Sequence, residues 1–176
     1  TSFKVDNPKI KLHETTFGAE EIFAATEVMM STNVTMGKKV LNFENEFSKK
    51  FDIKNSVMNN SGSSANLLAV AALCNPEFKN YMQPGDEVIV PATTFATVVS
   101  PLYQLGLVPV YVDIEEKNWN LNANLIEEAI SSKTKAIMTV HTLGFPCEMN
   151  KINEIANKYK LIVIEDCCEA HGARYN

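Results

Sequence analysis

From residue 53 onward, short apolar runs alternate with stretches of helical periodicity, the pattern of a parallel α/β layer structure. The runs predict strands over 56–59, 87–90, 108–112, 136–140 and 161–164, and the periodic stretches predict helices over 64–73, 94–105, 122–130 and 149–159. Pro84-Gly85-Asp86 reads as a turn placed before a strand, and Asn122 fits a helix cap. Upstream, Ile22, Phe23, Ala25, Thr26, Met29 and Met30 fall close to helical spacing, with Glu20 and Glu21 suited to the positive amino end of that helix. Thr35-Met36-Gly37 breaks the pattern, and Val40, Leu41, Phe43, Glu44 and Phe47 resume it as a second helix ending near Phe51. Residues 1–17 show no period, contain Pro8 and read as an extended arm. The chain thus divides into an arm with two helices over 1–52 and an α/β domain over 53–176, without repeats or low-complexity segments. A doubly wound sheet carries further strands and a helix over the last one, so the final strand, close to Asn176, predicts an incomplete sheet and a fragment of a longer protein.

Composition adds bounds. With 176 residues and 45% hydrophobic content, the chain can bury an ordinary core. Sixteen Lys and Arg against 21 Asp and Glu give a net charge of −5, which argues against a nucleic-acid or anionic-membrane surface. No apolar run is long enough to cross a bilayer, and the first residues lack the apolar core of a secretory signal, so the expected location is cytoplasmic. Cys74, Cys147, Cys167 and Cys168 match neither a disulfide framework nor a zinc spacing; they read as reduced, mostly buried small hydrophobes, with no metal site expected.

Three segments carry candidate chemistry. In the first, an apolar strand ending at Ile164 reads as buried on both faces and delivers Glu165 and Asp166 to the carboxyl end of a sheet, where ligands of open α/β folds collect. In the second, Asn59-Asn60-Ser61-Gly62-Ser63-Ser64 leads into a helix, either as a phosphate cradle of free N–H groups and hydroxyls or as a Ser cap beside a permissive glycine. In the third, Phe95 follows the strand over 87–90, as an aromatic face for a flat cofactor or as a core residue. A P-loop and a Gly-x-Gly-x-x-Gly fingerprint are both missing, which removes nucleoside triphosphate and dinucleotide readings. A phosphate cradle, a stacking ring and a buried carboxylate on the strand ends of one sheet suit a flat, monophosphorylated nitrogen ring, namely pyridoxal 5'-phosphate, whose pyridine nitrogen an Asp would keep protonated.

These residues resemble the DegT family of sugar aminotransferases and dehydratases, fold-type-I pyridoxal-phosphate enzymes acting on nucleotide-linked keto-sugars. Thr35-Met36-Gly37, Ser61-Gly62-Ser63-Ser64-Ala65, Gly85-Asp86-Glu87-Val88-Ile89-Val90-Pro91, Thr94-Phe95, Val112-Asp113-Ile114, His141-Thr142-Leu143-Gly144 and Glu165-Asp166 through Gly172-Ala173 stand in the family's order and spacing over nearly the whole chain. The resemblance implies that Gly62, Ser63 and Ser64 bind the cofactor phosphate, that Phe95 stacks on the ring and that Asp166 holds the pyridine nitrogen. Glu169 falls where many members carry Gln or His near the ring hydroxyl, a departure that sets a carboxylate beside a phenolate oxygen.

The resemblance also implies an incomplete large domain with a small C-terminal domain missing, and a Schiff-base Lys, or the His that replaces it in dehydratases, beyond Asn176. Lys135, Lys151, Lys158 and Lys160 are outside the matching context and read as surface charges. The implied activity is amino transfer to a keto-sugar nucleotide for glycan or lipopolysaccharide synthesis, with an amino donor such as glutamate. The alternative is a 3-dehydratase using pyridoxamine 5'-phosphate. A homodimer is implied for the intact protein, whereas a truncated chain alone could be inert and associate through its exposed sheet edge.

Overall fold

The computed structural model describes residues 15–175, so most of the arm expected over 1–17 lies outside the described residues. The chain forms two compact units, one ending at Met58 and the other beginning at Asn59.

The first unit holds α1 (Ala19–Met30) and α2 (Lys38–Phe51). The Glu21 carboxylate reaches back to the Gly18 N–H at 2.6 Å, and this backbone donor holds its pKa below the usual value. In α2, residues four apart stack Phe43 on Phe47 and Phe47 on Phe51, with ring centroids 5.6 and 4.5 Å apart. Asp52 ends α2 in the left-handed region, and the following Ile53 N–H closes on the Ser48 carbonyl at 3.0 Å. The strand expected over 56–59 is not formed. Val57 and Met58 are exposed, and the Met58 N–H donates to the Glu44 carboxylate at 2.8 Å instead of joining a ladder.

The second unit begins with α3 (Gly62–Leu73), followed by β1 (Glu87–Pro91), α4 (Ala96–Gln104), β2 (Val108–Val112), β3 (Thr134–Val140), α5 (Met149–Tyr159) and β4 (Ile162–Asp166). The four strands pair in parallel in the order β2-β1-β3-β4. Both faces are covered because alternate side chains of an inner strand point opposite ways. Val88, Val90, Ala136 and Met138 pack with Val70, Val98 and Leu102 from α3 and α4. Ile89 and Ile137 pack with Ile126, Ile152, Ile155 and Ala156 on the side of α5. Each fully buried Ile or Val contributes about 1.5–3 kcal/mol by leaving water, which makes this three-layer stack the stable frame behind the strand ends.

Two further expectations need correction. The helix predicted over 122–130 is reduced to a single 3₁₀ turn, Glu127–Ala129. The Asn122 side chain makes the bond of a cap, accepting the Asn124 N–H at 2.9 Å, but the turns that follow close three residues apart, Leu125 on Asn122 and Ala129 on Ile126, and Ile130 is already extended toward β3. The strand expected to be buried on both faces, β4, pairs only with β3 among the described residues, so Ile162, Val163 and Ile164 are half-buried.

Candidate active site

The chain runs outward from β1 to β2 and then returns to the other side of β1 for β3 and β4, so the connections leave β1 and β3 in opposite directions. Such a reversal opens a crevice at the carboxyl ends of the strands. A cavity of 560 Å³ lies there, lined by Gly62, Ser63 and Asn66 of α3, by Thr93 to Phe95 after β1, by Thr142 and Leu143 after β3, and by Asp166, Cys168 and Glu169 at the end of β4.

On the α3 side, Ser61 caps the helix, its Oγ accepting the Ser64 N–H at 3.2 Å. The first-turn N–H groups of Gly62 and Ser63 have no intrahelical acceptor, and the helix macrodipole adds positive potential there. Ser61 is thus the cap, and the cap leaves the N–H groups beside it open to an anion. Ser64 is placed differently from its two neighbours. Its N–H and hydroxyl both engage Ser61 Oγ, and it does not line the cavity.

Phe95 is no core residue. It holds an extended conformation as the N-cap of α4, is 73% exposed and presents its ring to the cavity. Because Phe95 stays extended, α4 starts at Ala96 rather than at 94. The Thr94 hydroxyl oxygen is buried without a hydrogen-bond partner in the cavity wall. A hydroxyl in that condition is costly unless a ligand or water meets it.

Asp166 is half-buried, not buried as the apolar strand suggested, because β4 is the edge strand. Its carboxylate is nonetheless tightly held. Oδ1 accepts the Cys168 N–H at 3.0 Å, and Oδ2 accepts Asn66 Nδ2 at 2.8 Å from a residue 100 positions away. Asn66 is a cavity residue outside the set expected from the sequence; a polar side chain four positions past a helix's first residue was the available signal.

The opposite wall is a tight turn, with Leu143 at φ 54° and Gly144 at φ 81°. A side chain at Gly144 would be strained there and would bring its Cβ to 3.0 Å from the Glu169 carbonyl. The Leu143 N–H donates to the Glu169 carboxylate at 2.6 Å. Two residues outside the predicted set fix this turn. Asn120, buried, donates from Nδ2 to the Phe145 carbonyl at 2.8 Å and accepts the Thr142 N–H on Oδ1 at 2.9 Å. His141, also buried, pairs through Nε2 with Glu165 at 2.9 Å and accepts the Cys147 N–H on Nδ1 at 3.0 Å. Contacts with Cys147, then Cys167 and Glu165, favour the charged ring and raise its pKa. The Cys147 N–H opposes them, since a ring protonated at both nitrogens has no lone pair to receive it. The geometry is that of the neutral ring with its proton on Nε2.

Of the four cysteines only Cys147 is buried, and Cys168 is exposed in the cavity wall, so the expectation of mostly buried thiols is corrected; none is in a disulfide. Lys135, Lys151, Lys158 and Lys160 lie away from the cavity. Lys158 pairs with Glu127 at 2.6 Å and Lys151 contacts Asn124. Among the described residues there is no His, Cys, Asp and Glu cluster able to hold a metal, and no helix long and apolar enough to cross a membrane.

The sheet and its flanking helices are part of the large domain of the fold-type-I PLP-dependent transferase fold. They superimpose with a TM-score of 0.88 and 40% identity on a crystal structure of GDP-4-keto-6-deoxymannose-3-dehydratase with a trapped PLP-glutamate geminal diamine, over 94% of this chain and 43% of that one. The chain belongs to the DegT/DnrJ/EryC1/StrS aminotransferase family, which residues 15–176 match. It is 41% identical over 168 residues to GDP-4-keto-6-deoxy-D-mannose 3-dehydratase of Yersinia pseudotuberculosis, and 35% identical over 167 residues to GDP-perosamine synthase of Escherichia coli O157:H7. Each comparison covers 94% of this chain but only 42% and 44% of the relative's length.

Proposed function

We propose that this chain is the N-terminal, cofactor-binding part of an enzyme that uses pyridoxal or pyridoxamine 5'-phosphate to modify a nucleotide-linked keto-sugar. The observation that carries this reading is the convergence of the α3 amino end, Phe95 and Asp166 on one cavity at the strand-order reversal. The donor set fits the group: N–H groups and the Ser63 hydroxyl for a phosphate, a ring face for a ring, a carboxylate for a pyridinium, and an unpartnered Thr94 hydroxyl in the wall between them.

When bound, the cofactor supplies a protonated ring that accepts electrons from a bond being broken in the substrate. In this chain Gly62 and Ser63 would hold its phosphate, Phe95 would cover one ring face, and Asp166 would hold the proton at the pyridine nitrogen. Glu169 departs from an uncharged residue at a position near the ring hydroxyl, and the Leu143 N–H on its carboxylate offsets part of the repulsion toward an oxyanion there. The group that moves the substrate proton is a Lys or His contributed from outside residues 1–176, so the isolated chain does not turn over. Proton transfer by a placed side chain contributes about 10²- to 10⁴-fold, and no lysine among the described residues lines the cavity to give it.

Between the two branches, the sequence reading put amino transfer first. At equal coverage of this chain, the higher identity to the 3-dehydratase, 41% against 35%, favours dehydration with the pyridoxamine form, glutamate serving as amino donor to the cofactor. The same reading carries a cytoplasmic, homodimeric enzyme. The test uses the complete protein. Near-visible absorbance on adding pyridoxal phosphate should appear, and incubation with glutamate and a GDP- or dTDP-linked 4-keto-6-deoxyhexose should give, by mass spectrometry, loss of the 3-hydroxyl in dehydration or gain of an amino group in transfer. A complete protein that neither binds the cofactor nor alters such sugars refutes the proposal.

A further inference from the structure

Asp166 is the group on which the proposed chemistry turns, yet it is only half-buried at the end of β4, where a carboxylate is free to rotate unless something fixes it. One of its oxygens is fixed locally by the Cys168 N–H. The other is fixed by Asn66, and the amide of Asn66 is itself set by a peculiarity of α4. Pro101 lies inside that helix, and proline has no N–H to give to the carbonyl four residues back, which is that of Thr97. Asn66 Nδ2 donates to that Thr97 carbonyl at 3.3 Å and to Asp166 Oδ2 at 2.8 Å. Both partners are acceptors, so the amide can stand only with its nitrogen toward them, and its two protons are both used. A carbonyl released by the proline thus serves as the reference point that aims the second amide proton at the carboxylate. With an N–H donor on each oxygen, the plane of the Asp166 carboxylate is fixed, and each oxygen keeps a second lone pair for a further donor.

We propose that Asn66, locked by the Thr97 carbonyl that Pro101 leaves free, is a positioning residue that sets the orientation of Asp166 and thereby the protonation of the cofactor's pyridine nitrogen. The inference rests on the cofactor reading given under Proposed function and assigns to Asn66 a role acting through Asp166, without contact to the ring. The position is a polar interruption on an otherwise apolar helix stretch, Ala65-Asn66-Leu67-Leu68-Ala69-Val70, where helix propensity alone would favour alanine or leucine.

The test uses the complete protein reconstituted with pyridoxal phosphate labelled with ¹⁵N in the ring. In the wild type the ring nitrogen should give the shift of a pyridinium at neutral pH. In Asn66→Ala the signal should move toward unprotonated pyridine, and cofactor affinity should fall about tenfold, the scale of one hydrogen bond to a charged group. Asn66→Leu, which refills the side-chain volume, should behave alike and serves where the alanine variant does not fold. Introduced together with Asp166→Asn, either change should alter affinity less than about twofold, because its effect passes through the carboxylate. An unmoved ring-nitrogen signal in both single variants, or an undiminished effect in the Asp166→Asn background, overturns the inference. Failure of the wild type to bind the cofactor at all overturns the cofactor reading instead, so the two failures are distinct.

Discussion

Replacing Asn120 by leucine should loosen the turn that faces the cofactor cavity. The buried amide joins two backbone groups of the 142–145 segment, donating to the Phe145 carbonyl at 2.8 Å and accepting from the Thr142 N–H at 2.9 Å. Leucine keeps the branched outline of asparagine but is larger, so the substitution removes the hydrogen bonds without opening a void, and any overpacking at this buried position adds to the loss. Each bond contributes about 0.5–1.5 kcal/mol net, and a freed group sealed from water would cost more. Thr142 is half-buried and Phe145 is 57% exposed, so the released groups regain water in part and the lower cost applies. The expected loss is about 2 kcal/mol, roughly a 30-fold change in the folding constant. Urea denaturation followed by circular dichroism measures it, with the exposed Lys135→Ala as a control expected to change little. Exchange of the Leu143 amide hydrogen, now held by Glu169, should accelerate as well. A stability change below about 0.5 kcal/mol with unchanged exchange would show that the turn is held by something other than Asn120.

Other outcomes follow from the same site. Thr94→Val should leave the cofactor-free protein as stable as before or more so by up to about 1 kcal/mol, since its hydroxyl has no partner, while cofactor affinity measured by absorbance titration falls about tenfold; clear destabilisation without cofactor would show that the hydroxyl is already satisfied. Asp166→Asn should retain cofactor binding and lose turnover, as read by absorbance beside product chromatography, and retention of full turnover would remove Asp166 from its assigned role. The His141 ring should be neutral at pH 7 with its proton on Nε2, visible as two distinct ring-nitrogen shifts in ¹⁵N–¹H correlation spectra; an imidazolium signature there would show that the Glu165 and thiol contacts outweigh the Cys147 N–H.

The sheet was legible because its inner strands are short apolar runs that tertiary structure has no reason to override: Val88-Ile89-Val90 and Ala136-Ile137-Met138 can only be buried on both faces. Helix α5 was legible to the residue, since Ile152, Ile155 and Ala156 share one face and Lys160 ends the helix in the left-handed region with Leu161 closing on Ala156 at 2.8 Å. Val57 and Met58 misled because two apolar letters are too short a run, and here too exposed, to be a buried strand. Residues 122–130 misled because Ala123 and Ile126 are buried three apart, as on a helix face, while the backbone closes in three-residue turns, Leu125 on Asn122 and Ala129 on Ile126, before Ile130 extends. At the site, strand ends and the glycine-serine turn marked Gly62, Ser63, Phe95, Asp166 and Glu169, whereas Asn66 and Asn120 act across 100 and 22 to 25 residues, a separation that local pattern does not encode.

The long reach from Asn66 to Asp166 also sets an order of events in folding. Helix α3 and strand β1 lie early in the chain, but the carboxylate arrives only with β4, which has no strand other than β3 to dock on among the described residues. Closing a loop of that length costs entropy before the contact returns anything, so the two halves of the cavity meet late. A ligand gripping the α3 end and Asp166 together has no purchase on earlier, partly assembled chains. Its capture therefore follows the seating of β4, and its binding energy draws the population toward molecules in which α3 and β4 are already joined.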